Sequence, residues 1–265
     1  MMLEIFDYEF MRRAFIVGMF LAIILPTMGL PILLKRLSMI GDTLAHSSLA
    51  GVAIGLCFGF DPLLASIAAC IVAGLGIELI RNKLKAYQEI STVIILAASI
   101  GLAGVFMSFI NNANSISAYL FGSIVTISDS EFYLVIAVSL FVIVCSYLLC
   151  NTLYLCVFDP KAAPILGINV KFINFMVTFL SAVAISISAK TIGSLIVSSL
   201  LVIPVVSAMQ IARTYKKTLL LSILLSVAFV YTGLFISYFF NLKPGSVIVL
   251  ISVIWLILTM IIKKN

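Results

Sequence analysis

Apolar residues in this chain run on in unbroken stretches instead of alternating with polar ones. Nine such stretches can be read, at 14–34, 44–60, 63–80, 90–110, 131–150, 171–189, 192–212, 218–240 and 245–262. Each is 17 to 23 residues long, and about 20 mainly apolar residues in a helix cross a bilayer core. The breaks fall at charges, proline, glycine and asparagine, as at Asp61–Pro62 and Asn241–Pro244. The pattern predicts an all-α fold, a polytopic membrane helix bundle forming a single transmembrane domain over 1–265. The apolar segment 118–127 is too short to span and reads as re-entrant, so the expected number of transmembrane helices is about 8–10.

Composition agrees. The chain is 63% hydrophobic and 10% charged, with a mean hydropathy of +1.30. Soluble domains are near half apolar and about a quarter charged, so a soluble fold is excluded, and disorder with it. The net charge of +6 does not point to nucleic acid. Its basic residues are dealt out in small groups between spans, with no polar face to gather them. With all nine stretches alternating across the membrane, twelve Lys and Arg fall on one side and four (Arg12, Arg13, Lys190, Lys243) on the other. That bias predicts a cytoplasmic C-terminus. Arg12–Arg13 then lie outside, which suggests a short interfacial helix over 3–13. No cleavable signal peptide is apparent: the first apolar stretch has span length. The five cysteines sit in apolar stretches without a CxxC and read as packing residues.

The missing motifs narrow the function. There is no GxxxxGK[ST] phosphate loop, and one histidine cannot form HExxH. An enzyme is not expected. Most of the ten acids lie at ends or loops, and two remain at membrane depth, Asp42 and Glu78; ionisable groups there are functional candidates by default. Glu78 stands three residues before Arg81, which reads as an ion pair at the inner end of its helix. Ser38, Asp42 and His46 follow at i, i+4, i+8, which stacks them on one face of the second span. A carboxylate and an imidazole on one face make half a site for a divalent metal such as zinc or manganese. The plainer reading is an Asp–His hydrogen bond that satisfies two buried polar groups. The opposite side carries Ser47, Gly51, Gly55 and Gly59, a small-residue seam for helix packing.

The longest cytoplasmic connection is expected at 151–170. In it Asp159 fits a helix N-cap, Pro160 the first helical position and Gly167 the glycine stop. The seven residues between cap and stop predict a two-turn helix outside the membrane, with Pro164 disturbing its second half. It reads either as a capped turn or as a docking element for a cytoplasmic partner.

Several segments resemble the permease subunits of bacterial ATP-binding-cassette importers for zinc, manganese or iron. They are Arg36–His46 (RLSMIGDTLAH), Tyr119–Ser123 (YLFGS), Phe158–Ile168, Gly193–Pro204 and Lys243–Leu250; together the resemblance covers about 14–262. It implies a homodimer of permeases in the bacterial inner (plasma) membrane, with a cytoplasmic ATP-binding subunit dimer that hydrolyses ATP. An extracytoplasmic metal-binding protein would deliver the ion. It implies no permanently bound cofactor and places Asp42 and His46 on the path of the transported Zn2+, with Mn2+ or Fe2+ as alternatives. Asp159, Pro160 and Gly167 fall in the ATPase-coupling loop. The chain departs from the family at Ile90–Thr92 and at Asn114–Ser115, where acids are usual. A secondary metal carrier would be expected to show more intramembrane acids and an inverted repeat. A scaffold without transport would leave Asp42 and His46 unexplained.

Overall fold

The computed structural model describes residues 7–84, 88–110, 128–159 and 161–263. Ten helices lie among them: α1 Glu9–Leu34, α2 Ile40–Phe58, α3 Pro62–Lys83, α4 Gln88–Met107, α5 Asp129–Phe158, α6 Ala162–Ile165, α7 Val170–Ile192, α8 Ser194–Ile211, α9 Tyr215–Phe240 and α10 Pro244–Lys263. No strand occurs among the described residues. Eight helices are long and apolar enough to cross a membrane, and α8 is a shorter apolar ninth. The chain is a multi-pass membrane protein. The re-entrant reading of 118–127 and the segment Tyr119–Ser123 lie outside the described residues.

The spans sort into an inner and an outer set. In their most apolar windows α1, α2 and α7 are 67%, 72% and 72% buried, whereas α4, α5 and α10 are each 22% buried. Helix α8 is central too: Val197, Leu200, Leu201, Val205 and Ala208 are fully buried. Water cannot drive helices together within a bilayer, so close backbone approach and interhelical hydrogen bonds must do it. Gly29 supplies one such approach, since a Cβ there would lie 2.0 Å from the Leu201 carbonyl oxygen of α8.

The charges mark the two ends. Arg13 pairs with Glu9 and with Asp129 at the start of α5, and Lys190 at the end of α7 pairs with Glu131. At the opposite end Arg81 pairs with Glu78, both under 10% exposed, as the i,i+3 spacing predicts. Nearby, Lys35 Nζ donates to Asn174 Oδ1 at 2.6 Å. Burial, reinforced by the Arg81 guanidinium, pushes the Lys35 ammonium down to about 8. Strict alternation of the spans accounts for both groupings.

Several boundaries differ from the sequence reading. Helix α1 begins at Glu9, so 9–13 are its first turns and not part of a separate interfacial helix. Glu9 and Arg13 lie one turn apart and pair, which lets the polar residues continue the helix. Helix α5 runs on to Phe158, so the connection expected from 151 begins only at Asp159. Asn151 and Thr152 look like a break, but the apolar residues after them extend the helix. Gly59 does not pack against another helix: it is the left-handed C-cap of α2, at φ 75°, with nothing within 4 Å of where a Cβ would stand.

Candidate functional site

Helix α2 is held on three sides. Toward α4, Thr43 Oγ1 donates to the Thr92 carbonyl at 3.3 Å, and Ser47 Oγ shares a 2.7 Å hydrogen bond with Ser99 Oγ. Toward α3, a Cβ at Gly51 would lie 2.6 Å from the Ala65 carbonyl oxygen, and one at Gly55 2.9 Å from Ala65 Cβ. There Ser48 Oγ meets Ser66 Oγ at 2.8 Å, and Ser66 Oγ meets Ser186 Oγ of α7 at 2.9 Å. Toward α8, Gly41 lies against Ser198 and Leu201. Successive helical residues turn by about 100°, which leaves one arc of α2 between the lines through Gly41 and Thr43. Asp42 and His46 stand on that arc.

The two side chains are near each other but not bonded. His46 Nε2 lies 3.8 Å from Asp42 Oδ1, beyond hydrogen-bond reach. Their side chains are 25% and 43% exposed. Neither side chain is enclosed by the chain itself. Asp42 sits in the first turn of α2, where the helix N-terminus favours negative charge. Ser38 does not share the face, because it lies in the turn before Ile40 where the helix starts. Neither the Asp42 nor the His46 side chain donates or accepts a hydrogen bond among the described residues. Both keep lone pairs for another partner.

One chain does not complete a metal site. No group of three or more His, Cys, Asp or Glu side chains comes together among the described residues. The pair supplies one imidazole nitrogen and up to two carboxylate oxygens. One or two ligands remain to be found for a tetrahedral zinc, three or four for an octahedral manganese.

The connection after α5 is tighter than the sequence reading. Asp159 Oδ1 accepts from the Ala162 N–H at 3.0 Å, a cap-like bond from two residues before the N-cap position, Lys161, which itself makes none. Pro160 lies outside the described residues. The helix is one turn, Ala162–Ile165, and not two. Gly167 ends it at φ 76°, its N–H donating to the Pro164 carbonyl while the Ile168 N–H reaches Ala163. That pairing is a Schellman stop at the glycine the sequence marked, and the helix is shorter than expected because it begins only at Ala162. Ala163 is buried, whereas Ile165 and Leu166 are 85% and 67% exposed.

Sequence reading missed the serine bonds that clamp α2. Their signal was the adjacent pair Ser47–Ser48 inside an apolar stretch, one hydroxyl for each neighbouring helix.

The model of the ABC 3 transport family matches residues 7–263. A probable metal transport system membrane protein of Treponema pallidum is 33% identical over 252 residues, 95% of each chain. The manganese transport system membrane protein MntC of Listeria monocytogenes is 27% identical, over 94% of this chain and 89% of its own. The high-affinity zinc uptake system membrane protein ZnuB of Haemophilus influenzae is also 27% identical, over 96% and 97%. A solved structure described as PsaBC from Streptococcus pneumoniae in complex with Fab superposes with a TM-score of 0.86. It covers 98% of this chain and 95% of that one at 23% identity, a likeness of fold. The match from the first described turn of α1 to the end of α10 makes this chain a member of the ABC 3 transport family.

Proposed function

We propose that this permease of an ATP-binding-cassette metal importer carries zinc into the cytoplasm, and that Asp42 and His46 contact the ion on its way. The observation that carries the reading is the unbonded carboxylate–imidazole pair on the one arc of α2 that α3, α4 and α8 leave open. In a permease homodimer two copies of this arc would supply two imidazoles and two carboxylates, enough for a tetrahedral ion. A pair that its own chain leaves unbonded also suits a transient stop better than a closed structural site. Zinc is preferred because imidazole suits it and the divalent series binds zinc more tightly than manganese at such ligands. Manganese is the second reading, favoured by the half-exposed, oxygen-donating Asp42. Relatives named for each metal are equally similar.

ATP hydrolysis belongs, in this reading, to a cytoplasmic ATP-binding subunit dimer. Its contact is the Asp159–Ile168 connection, which presents Ile165 and Leu166 to solvent. An extracytoplasmic metal-binding protein delivers the ion. The membrane is the bacterial inner membrane.

Uptake of radioactive zinc and manganese in cells lacking their own importers tests the site. Asp42→Asn and His46→Ala are each expected to abolish uptake, with the protein inserted and assembled with its ATPase. Near-normal uptake by both variants would remove them from the path. For the docking loop, Gly167→Val forces a β-branched residue to positive φ, at about 1–2 kcal/mol, and Asp159→Ala removes a cap bond of about 1 kcal/mol. Metal-stimulated ATP turnover should fall in both, and wild-type turnover would make the connection merely a turn.

A further inference from the structure

A pocket of about 490 Å³ opens at the inner end of the bundle, away from Asp42 and His46. The last turns of α5 form one wall through Asn151, Tyr154 and Phe158, and the α8–α9 connection forms the other through Arg213 and Lys216. Tyr215 closes it, with its ring 5.7 Å from that of Tyr154 and 6.4 Å from that of Phe158.

Three observations point to the same ligand chemistry. First, Arg213, Lys216 and Lys217 gather where α9 starts, and no acid occupies the first turn of that helix. None of the three pairs with an acid among the described residues. Basic residues are common at the inner membrane face, but cations in a first turn oppose the helix dipole, so topology alone does not explain them there. Second, this N-terminus is uncapped: Thr214 makes no side-chain cap bond, so the first backbone N–H groups of α9 have no side-chain acceptor. Third, Tyr215 is 8% exposed, and its hydroxyl makes no hydrogen bond among the described residues. Both Tyr215 and Cys150 line the pocket. The phenol hydroxyl there is a donor that a ligand in the pocket can accept from.

Donors and cations thus converge on one space whose lining holds no carboxylate, with Asn151 and Thr214 its neutral polar groups. A phosphate group answers that set, because it brings charge and several acceptor oxygens to a helix N-terminus. The half-exposed ring of Tyr154 and the exposed ring of Phe158 add what a free anion does not need: apolar surface at the end of the spans, where aromatic rings meet headgroups. We propose that this pocket binds a phosphate group, carried by an anionic phospholipid of the inner leaflet. Soluble phosphate is the other source of the same chemistry. Basic pockets between spans on the cytoplasmic side are suited to such headgroups. Phe158 also ends the helix that leads into the docking connection, so a bound lipid would brace that connection.

The test uses the full chain in lipid nanodiscs of phosphatidylcholine doped with phosphatidylglycerol, with retained lipid read by native mass spectrometry. The wild type should retain phosphatidylglycerol in preference to phosphatidylcholine. Combining Arg213→Gln with Lys216→Gln should cut that retention about tenfold or more, from roughly 1 kcal/mol per cation. Tyr215→Phe keeps every charge and the ring, and should lower retention severalfold; it decides alone if the double variant fails to insert. Equal retention of both lipids, or unchanged retention in Tyr215→Phe, overturns the proposal. Displacement of phosphatidylglycerol by inorganic phosphate overturns the lipid source and assigns the pocket to the soluble anion. Displacement by the docked ATPase subunit overturns it in favour of a protein contact.

Discussion

Ser48, Gly51 and Gly55 look toward α3, and Asp42 and His46 look away from it, on the same two turns and more of one helix. On the first side every polar group is spent. Ser48, Ser66 and Ser186 bond in sequence across three helices, and Gly51 lets two backbones nearly touch. On the second side nothing is spent: the carboxylate and imidazole lie 3.8 Å apart and bond to no described residue. A bundle that must move an ion between its helices needs both. The packed side holds the helix still, and the open side keeps ligands unpaired until cargo arrives.

The sharpest way to break this contrast is to fill the seam. Gly51→Leu would drive a side chain into the Ala65 carbonyl and the Ser66 backbone, 2.6–2.7 Å from where Cβ alone would stand. Overpacking usually costs about 1–3 kcal/mol, and here the obstacle is backbone that cannot rotate away, so the upper end or beyond is expected. Thermal unfolding in detergent should show a protein that is not folded, or one that melts far below the wild type. A wild-type melt would mean that α2 and α3 are not so close. Next in size is Ser66→Ala, which removes the middle of the serine chain. Interhelical hydrogen bonds average about 0.6 kcal/mol each in membranes, so losing two should cost about 1 kcal/mol, visible as a small drop in melting temperature.

The two sides also differ in how far they could be read from the chain. The eight long spans and the shorter apolar ninth helix followed from apolar runs, because the bilayer imposes such runs on the backbone itself. Gly51 and Gly55 were legible as a seam for the same reason, since small residues four apart have little other use on a membrane helix. Gly59 was not separable from them by spacing. Whether a glycine packs or caps depends on where the helix stops, and apolar sequence does not mark that. The one-turn length of α6 was hidden likewise, because a glycine stop fixes an end but not how many residues are helical before it. Asp42 and His46 could be placed on a common face, yet their distance and exposure depend on which neighbours cover that face. The pocket around Tyr215 joins residues some sixty positions apart and left no local signal.

The smallest expected effect belongs to the open side, and it separates a ligand pair from a structural one most cleanly. Asp42→Asn removes a charge from the first turn of α2, where the helix dipole is worth about 0.3–1 kcal/mol to an exposed anion. His46→Gln removes an imidazole that bonds to nothing described, and surface substitutions of that kind stay within about 0.5 kcal/mol. Both variants should therefore melt within a degree or two of the wild type, with His46→Gln the closer. Were the pair a structural lock, its loss would leave a buried polar group without its partner, and melting would fall by as much as for Ser66→Ala or more. A side of α2 that tolerates both changes in the melt, yet loses zinc uptake with either, has its polar groups there for the ion and not for the fold.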